Sequence, residues 1–199
     1  DGGVHSHTSH LRGLLDAAQD FGLENVFVHA FTDGRDVDPK SGKGYIEDLE
    51  KYCSKSNAKL ASVCGRYYAM DRDKRWERVK LAYDLLVNGI GTHSTNASAT
   101  IQQSYDTDVT DEFIQPILMT DANGKAVATI ENGDVIIFFN FRTDRGRQLT
   151  EALSQKDFHE QNMHQLDLYY VTMTNYDETY QNVKVIYNKD NITETLGEV

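Results

Sequence analysis

The arginines of this chain are grouped, and their grouping predicts a binding site for an anion. Eight of the nine arginines lie in three short segments, whereas the eleven lysines are scattered. The segments are Thr32–Asp36 (TDGRD), Gly65–Arg78 (GRYYAMDRDKRWER) and Asn140–Arg147 (NFRTDRGR). A guanidinium presents five donors in a planar fork that matches carboxylate and phosphate oxygens. In a chain of net charge −11, this grouping favours one cationic pocket for a small anion over unrelated surface ion pairs.

The turn in the first segment could also transfer a proton. Asp33 and Asp36 stand on either side of Arg35, directly after an apolar run. A carboxylate beside a bound hydroxyl group can act as a general base and later return the proton as an acid. The more common use of such a turn is a capping aspartate with a surface arginine. The motif alone leaves both interpretations open.

The other two segments fit an anion better than a cation. Asp71 and Asp73 could suggest magnesium, but Arg72 and the neighbouring basic residues would repel a cation, so the aspartates are expected to brace an anion clamp. Arg142 and Arg145 are three residues apart where a predicted strand enters a helix, so both could point into one crevice. A merely basic helix start is the weaker alternative, because cations at a helix N-terminus oppose the helix dipole.

Histidines precede the first predicted helix, in the segment Gly2–His7 (GGVHSH). Glycines permit close backbone approach, and free N–H groups at a helix start favour an anion that His5 could contact. Exposed polar residues at a helix cap are the alternative. A metal site of His5, His7 and His10 is disfavoured because no acidic or cysteine partner stands at ligand spacing. We therefore expect no metal site in this chain.

The composition of the chain disfavours several classes of binding partner. The net charge of −11 disfavours nucleic acid and anionic membranes, and no apolar run approaches the roughly 20 residues of a membrane span. Cys53 and Cys64 have neither disulfide nor metal spacing, which indicates packing roles in a reducing, cytoplasmic setting. The chain has no GxxxxGK[ST], GxGxxG or GxSxG motif, so nucleotide-binding loops and a serine-hydrolase elbow are unsupported.

Hydrophobic periodicity predicts helices that alternate with strands. The predicted helices are 8–21, Tyr45–Cys53, Trp76–Val87 with a stop at Gly89, a short one near 98–105, and Arg145–Leu153, with helix-start residues after Tyr187. The predicted strands are Val26–Phe31, Lys59–Val63, Leu168–Met173, and a hairpin of Ala126–Ile130 and Val135–Phe141 around Asn132–Gly133. This order predicts an α/β domain with a mixed, largely parallel sheet flanked by helices. Each arginine segment follows an apolar strand, so all three are expected at the carboxyl ends of strands, where open α/β sheets bind ligands.

Four motifs together resemble the transferase, or substrate-binding, domain of the 2,3-bisphosphoglycerate-independent phosphoglycerate mutases. They are GGVHSH (Gly2–His7), TDGRDVDP (Thr32–Pro39), GRYYAMDRDKRWERV (Gly65–Val79) and FFNFRTDR (Phe138–Arg145), in the order and approximate spacing of that family. The likeness extends over residues 1–199. The resemblance implies one domain, which is normally inserted in a domain related to alkaline phosphatase.

The resemblance also implies a reaction and roles for individual residues. The family interconverts 3-phosphoglycerate and 2-phosphoglycerate in glycolysis and gluconeogenesis: a serine takes the phosphoryl group, and the group returns to the other hydroxyl of the bound glycerate. The serine and two manganese ions belong to the phosphatase domain, which is the expected partner; no cofactor is expected in this domain. Asp36 is the implied acid and base, and the implied substrate-binding residues are His5, Arg35, Asp36, Arg66, Arg72, Arg142 and Arg145.

The serine and metal motifs of that family do not occur in this sequence. Together with the Asp-Gly-Gly start and the abrupt end, this suggests a fragment that binds substrate weakly and is inactive alone. Three alternatives remain open. They are a stand-alone binding module for phosphorylated carboxylic acids, a metal-dependent hydrolase that uses Asp33, Asp36 and Asp38, and a protein-interaction domain that uses the acidic surface but leaves the grouped arginines without a role.

Overall fold

The computed structural model describes residues 3–188, and the first of its two sheets carries two of the arginine segments. This sheet has the order β1-β2-β4-β3. Its strands are β1 (Val26–Thr32), β2 (Ala58–Gly65), β3 (Thr92–Ser94) and β4 (Ile117–Met119). Strand β1 runs parallel to β2, β4 is antiparallel to β2, and β3 is parallel to β4. The two long strands match the predictions, whereas the three-residue strands were not predicted.

Side-chain caps begin two of the six described α-helices, and a left-handed glycine ends a third. Their bounds are α1 (Thr8–Asp20), α2 (Gly42–Cys53), α3 (Arg66–Ala69), α4 (Trp76–Asn88), α5 (Ala97–Asp106) and α6 (Arg147–Ser154). The side chain of His7 accepts the N–H of Ser9 to cap α1, and the side chain of Asn96 caps α5 in the same way. Helix α4 ends at Gly89, whose φ of 63° suits glycine. No helix among residues 3–188 is long and apolar enough to cross a membrane.

The second sheet is entirely parallel, in the order β5-β6-β7, and carries the third arginine segment. Its strands are β5 (Val135–Phe138), β6 (Tyr169–Thr174) and β7 (Val183–Tyr187). The α/β class with parallel strands and flanking helices is confirmed, but the strands form two sheets instead of one. Strand β7 was not predicted. The helix start predicted after Tyr187 lies outside the described residues, which end at residue 188.

The predicted hairpin around Asn132–Gly133 is wrong. The turn exists, since Gly133 has a φ of 92°, but β5 leaves it to pair with β6 in parallel. The segment Ala126–Ile130 is not a strand of this sheet. It folds back along β4 instead, where the N–H of Val127 donates to the carbonyl of Met119 at 2.8 Å. A local turn signal fixes a reversal of the chain, but not the strand that pairs beyond it.

Two apolar clusters hold the elements together. One joins α1, α2 and α5 to β1 and β2, and the other joins α3, α4 and α6 to β5 and β6. Cys53 lies in the first cluster and Cys64 in the second; both are buried free thiols, as the packing interpretation predicted. Burial raises the pKa of the Cys64 thiol, so it is not reactive.

A short 3₁₀ helix, Asp111–Phe113, fixes the ends of β1 and β2, and it was not predicted from the sequence. The hydroxyl of Thr32 at the end of β1 donates to the carbonyl of Asp111 at 2.7 Å. The N–H of Gly65 at the end of β2 donates to the carbonyl of Ile114 at 2.8 Å. Both strand ends are therefore held against one support, and the arginine segments that follow them start side by side.

Candidate active site

Arg66 is the centre of the site. It is the first residue of α3, it follows β2 directly, and its side chain is only 2% exposed. Its Nη1 atom lies 2.5 Å from Oδ1 of Asp33 and 2.6 Å from Oδ2 of Asp36. A buried cation requires such partners, because an uncompensated charge away from water is strongly destabilising. The first two arginine segments are thus joined through one guanidinium.

Both aspartates are kept ionised. The hydrogen bond from Arg66 is the main reason that the pKa of Asp36 lies below its usual value. Partial burial would raise the pKa of Asp33, but hydrogen bonds from the N–H of Asp36 and from Arg66 outweigh it and lower that pKa. Near neutral pH the cluster is therefore one cation between two carboxylates.

Asp33 also shapes the turn that carries the other site residues. Its Oδ1 atom accepts the backbone N–H groups of Arg35 at 3.1 Å and Asp36 at 3.0 Å. Gly34 within this turn has a φ of 66°, and a Cβ at this position would lie 2.6 Å from Cβ of Asp111. Only glycine fits there without displacing the 3₁₀ helix.

His5 joins the same cluster from the N-terminal segment. Its side chain is 5% exposed, and its Nε2 atom lies 3.1 Å from Nη2 of Arg66 and 3.2 Å from Oδ2 of Asp36. Burial, followed by the charges of Arg66 and Arg142, lowers the pKa of His5, so the imidazole is neutral at pH 7. The carbonyl of His5 accepts the N–H of Phe141 at 2.8 Å, which ties this segment to the third arginine segment.

Arg72 and Arg142 meet at Asp144. Nη1 of Arg72 donates to Oδ2 of Asp144 at 2.8 Å, and Nε of Arg142 donates to Oδ1 at 2.8 Å. Burial would raise the pKa of Asp144, but the hydrogen bonds from Arg142 and Arg72 lower it to about 2. One carboxylate therefore aligns two guanidinium groups that come from segments 70 residues apart along the chain, a separation read from the sequence.

Arg145 has a different environment. Its Nη1 atom donates to the carbonyl of Met70 at 3.1 Å, and within residues 3–188 no carboxylate forms an ion pair with it. Its pKa is lowered by burial and then by the positive charges of Arg66 and Arg72. A guanidinium held among other cations without a carboxylate of its own attracts an anion from solution.

Arg35 lies at the exposed rim of the site. Its side chain is 59% exposed, and its Nη1 atom lies 3.4 Å from Oε1 of Glu112. Such an exposed pair contributes little to stability and can open at low cost. Arg35 is therefore free to turn toward a ligand that binds at the cluster.

The predicted site residues thus occupy one region of the molecule. Four arginines there pair with four carboxylates, and Arg145 adds a fifth guanidinium, so these groups together carry one net positive charge while His5 is neutral. The third segment contributes from the second sheet, so the crevice lies where the two sheets meet. Asp71 braces the start of α4, since its Oδ2 atom accepts the N–H groups of Asp73 and Arg75, each at 3.0 Å.

Sequence reasoning missed the organising roles of Asp33 and Asp144. Both stand two residues from an arginine of the site, at positions 35 and 142, and that spacing was the available signal. Their more distant partners, Arg66 and Arg72, became apparent only in the folded chain.

A metal ion does not fit at Asp33, Asp36 and Asp38. The guanidinium of Arg66 already occupies the space between the first two carboxylates. Oδ1 of Asp38 accepts the N–H of Lys40 at 2.9 Å, outside this cluster. A hydrolase mechanism that uses these three residues would require a cation where the structure has a buried arginine.

A cavity of about 430 Å³ adjoins the arginine cluster without containing it. Most of its lining is apolar and comes from α1, β1 and β5, and only a few residues, among them His5, Asp33 and Asn140, belong to the site end. Apolar walls do not suit a multiply charged anion, so the cationic crevice beside this cavity is the better candidate.

Comparison with known proteins identifies the family of this chain. The family model described as the BPG-independent PGAM N-terminus matches residues 1–178. A relative from Flavobacterium johnsoniae, named 2,3-bisphosphoglycerate-independent phosphoglycerate mutase, is 74% identical over 199 residues, and one of the same name from Bacteroides fragilis is 56% identical over 199 residues. The alignments cover 100% of this chain and 39% of each relative, so the chain spans about two fifths of their length.

A solved structure is also similar. The phosphoglycerate mutase of Leishmania mexicana, crystallised at low cobalt concentration, superposes with a TM-score of 0.83 and 32% sequence identity. The match covers 89% of this chain and 34% of that one. By the family match over residues 1–178, this chain belongs to the family of N-terminal regions of the bisphosphoglycerate-independent phosphoglycerate mutases.

Proposed function

We propose that this chain forms the substrate-binding and phosphotransferase part of a phosphoglycerate mutase that interconverts 3-phosphoglycerate and 2-phosphoglycerate. The observation that supports this most directly is the net positive crevice in which Arg145 has no carboxylate partner among the described residues and lies in the field of Arg66 and Arg72. A phosphoglycerate offers a carboxylate and a phosphate, two groups that guanidinium forks bind bidentately. The glycolytic role would place the protein in the cytoplasm.

The arginines and His5 would hold the substrate during both half-reactions. Arg72 and Arg142 are already aligned by Asp144, so less conformational freedom is lost when an anion replaces or extends that contact. Arg35 can leave Glu112 and close over the ligand from the rim. These contacts would keep the glycerate bound while the serine of the phosphatase domain carries the phosphoryl group.

Asp36 would accept a proton from one hydroxyl of the glycerate and return it to the other. In the free site its basicity is held down, chiefly by the hydrogen bond from Arg66. A bound anion would draw on the same guanidinium, weaken its hold on Asp36 and raise the pKa of this carboxylate. Asp36 would thus become a better base when substrate is present.

The complete reaction needs a second domain. The family resemblance supplies a phosphatase domain as partner, with a serine nucleophile and two manganese ions that would activate the phosphoryl group there. The carboxylates of the site described here are paired with Arg66, Arg72 and Arg142, which leaves them unsuited to hold the metal. The residues of this site would instead bind and orient the substrate and transfer a proton. The isolated chain is therefore expected to bind phosphoglycerate without interconverting its isomers.

A chimera tests this function. The 199 matching residues of the Flavobacterium johnsoniae relative would be replaced by this chain, and mutase activity would be measured. We expect an active chimera. Asp36→Asn should lower its kcat by on the order of 10²- to 10⁴-fold, because the proton transfer is lost. Arg12→Ala, which changes an exposed arginine on α1, is the matched control and should have no effect.

Two outcomes would contradict the proposal. One is a folded chimera that has no activity although the parent enzyme is active. The other is an Asp36→Asn chimera that keeps its full kcat.

A further inference from the structure

The proposed function leaves one group of metal-ligating side chains unused. Asp157, His159 and His164 each offer one potential ligand atom, and these atoms all lie within 4.8 Å of one another. All three side chains are exposed. They follow α6 and belong to none of the arginine segments.

The loop that carries them is closed by its own backbone. The N–H of Phe158 donates to the carbonyl of Met163 at 2.8 Å, and the N–H of Met163 donates back at 3.1 Å. Between them lie the 3₁₀ helix His159–Gln161 and Asn162, whose φ of 51° reverses the chain. The loop is therefore a defined turn that holds His159 near Asp157 and His164.

Side chains from helix α4 anchor this loop to the body of the protein. The ring of Phe158 packs on that of Trp76 with centroids 4.1 Å apart, and Met163 is fully buried. The hydroxyl of Tyr83 donates to the carbonyl of His164 at 2.6 Å and accepts its N–H at 3.1 Å. The backbone positions of the ligating residues are thus fixed before any ligand arrives.

A backbone N–H group orients the carboxylate of Asp157. Its Oδ1 atom accepts the N–H of Gln165 at 3.0 Å, which leaves Oδ2 directed at Nδ1 of His164, 3.5 Å away. Ligand atoms about 2.1 Å from a tetrahedral ion stand about 3.4 Å apart, so this pair already has the required spacing. His159 needs only a side-chain rotation to complete the set, and its exposure permits that rotation.

We propose that Asp157, His159 and His164 form a binding site for one divalent transition-metal ion of the Zn²⁺ class. Two imidazole nitrogens and one carboxylate oxygen suit zinc, cobalt or nickel and do not suit magnesium or calcium, which prefer oxygen ligands only. An ion pair between Asp157 and His164 explains their contact but gives no role to the convergence of His159. The fourth position of the ion would remain open to water or to a further ligand.

The test uses the full 199-residue chain after treatment with a chelator. Zn²⁺ titration by calorimetry should give binding at this site, and Co²⁺ should give visible absorption bands typical of a four-coordinate site. His159→Gln and His164→Gln should each weaken Zn²⁺ binding at least about tenfold, since each removes one of three ligands. His93→Gln, which removes an exposed histidine on β3, is the matched control and should leave binding unchanged.

A second measurement does not depend on substitutions. The ¹⁵N signals of the imidazole rings of His159 and His164 should shift on addition of one equivalent of Zn²⁺, and addition of Mg²⁺ should leave them unchanged. Unshifted rings would overturn the proposal. Binding that persists with the same affinity in a His159→Gln/His164→Gln double variant would also overturn it, because the ion would then be held by other residues such as His5, His7 and His10.

Discussion

Nη1 of Arg66 lies 2.6 Å from Oδ2 of Asp36, so the carboxylate proposed to transfer the proton is paired with a buried arginine. The same Nη1 atom contacts Oδ1 of Asp33 at 2.5 Å. The position and basicity of Asp36 are therefore set by a group that a substrate anion would also attract. We therefore expect anion binding and the proposed proton transfer to be coupled at this one guanidinium.

Gly34→Ala should destabilise the chain and displace the turn that carries Arg35 and Asp36. The φ of Gly34 is 66°, and the added Cβ would lie 2.6 Å from Cβ of Asp111. We expect a loss of about 1–3 kcal/mol in the free energy of unfolding. Gly44→Ala is the matched control: it lies in α2 with no atom within 4 Å of the new Cβ, and it should stabilise by roughly 0.5–1 kcal/mol. Urea unfolding of both variants measures the difference, and equal midpoints would contradict the close approach at Gly34.

Asp33→Ala and Asp33→Asn should differ in a way that separates turn formation from charge. Asn keeps an oxygen that can accept the N–H groups of Arg35 and Asp36, whereas Ala keeps none. Each lost hydrogen bond costs about 1 kcal/mol, so Asp33→Ala should unfold at lower urea concentration than Asp33→Asn. Identical unfolding midpoints would show that the turn does not depend on this side chain.

Acid should weaken the junction between Arg72 and Arg142. The pKa of Asp144 is lowered to about 2 in the folded chain, below its ordinary value near 3.9. A depressed pKa contributes stability that is fully present above the unfolded value and is lost as pH falls from about 4 toward 2. Asp144→Asn should therefore flatten the dependence of unfolding free energy on pH in this window. Asp20→Asn, at the exposed end of α1, serves as the control, and equal slopes for the two variants would contradict the ion pairs at Asp144.

The sequence predicted the long elements because their apolar residues recur with regular spacing. Leu11, Leu14, Leu15 and Ala18 share one face of α1, and β2 is an apolar run long enough to be read by itself. Strands β3 and β4, with three residues each, are too short to have a period. The turn at Asn132–Gly133 was predicted correctly, but the strand that pairs with β5 was not. The partner of β5 lies more than thirty positions further along the sequence, beyond the reach of a local turn signal.

The part of the candidate site that could be predicted is the part whose residue types indicate a function by themselves. Grouped arginines after apolar strands pointed to one crevice, and the described structure brings those segments together. The carboxylate partners were not predictable, because the pairing of Arg66 with Asp33 and of Arg72 with Asp144 depends on which strand ends lie side by side. That proximity is created by the support of the 3₁₀ helix Asp111–Phe113 and by the contact between the two sheets.

The most direct test of the central claim is calorimetric titration of this chain with 3-phosphoglycerate. The unsubstituted chain should bind, and Arg72→Ala, Arg142→Ala and Arg145→Ala should each weaken binding roughly 10- to 100-fold, because a charge-assisted hydrogen bond contributes about 1.5–3 kcal/mol. Arg12→Ala, outside the arginine segments, should bind as the parent does. Affinity that is the same in the parent and in all three site variants would show that the anion binds elsewhere and would contradict the account.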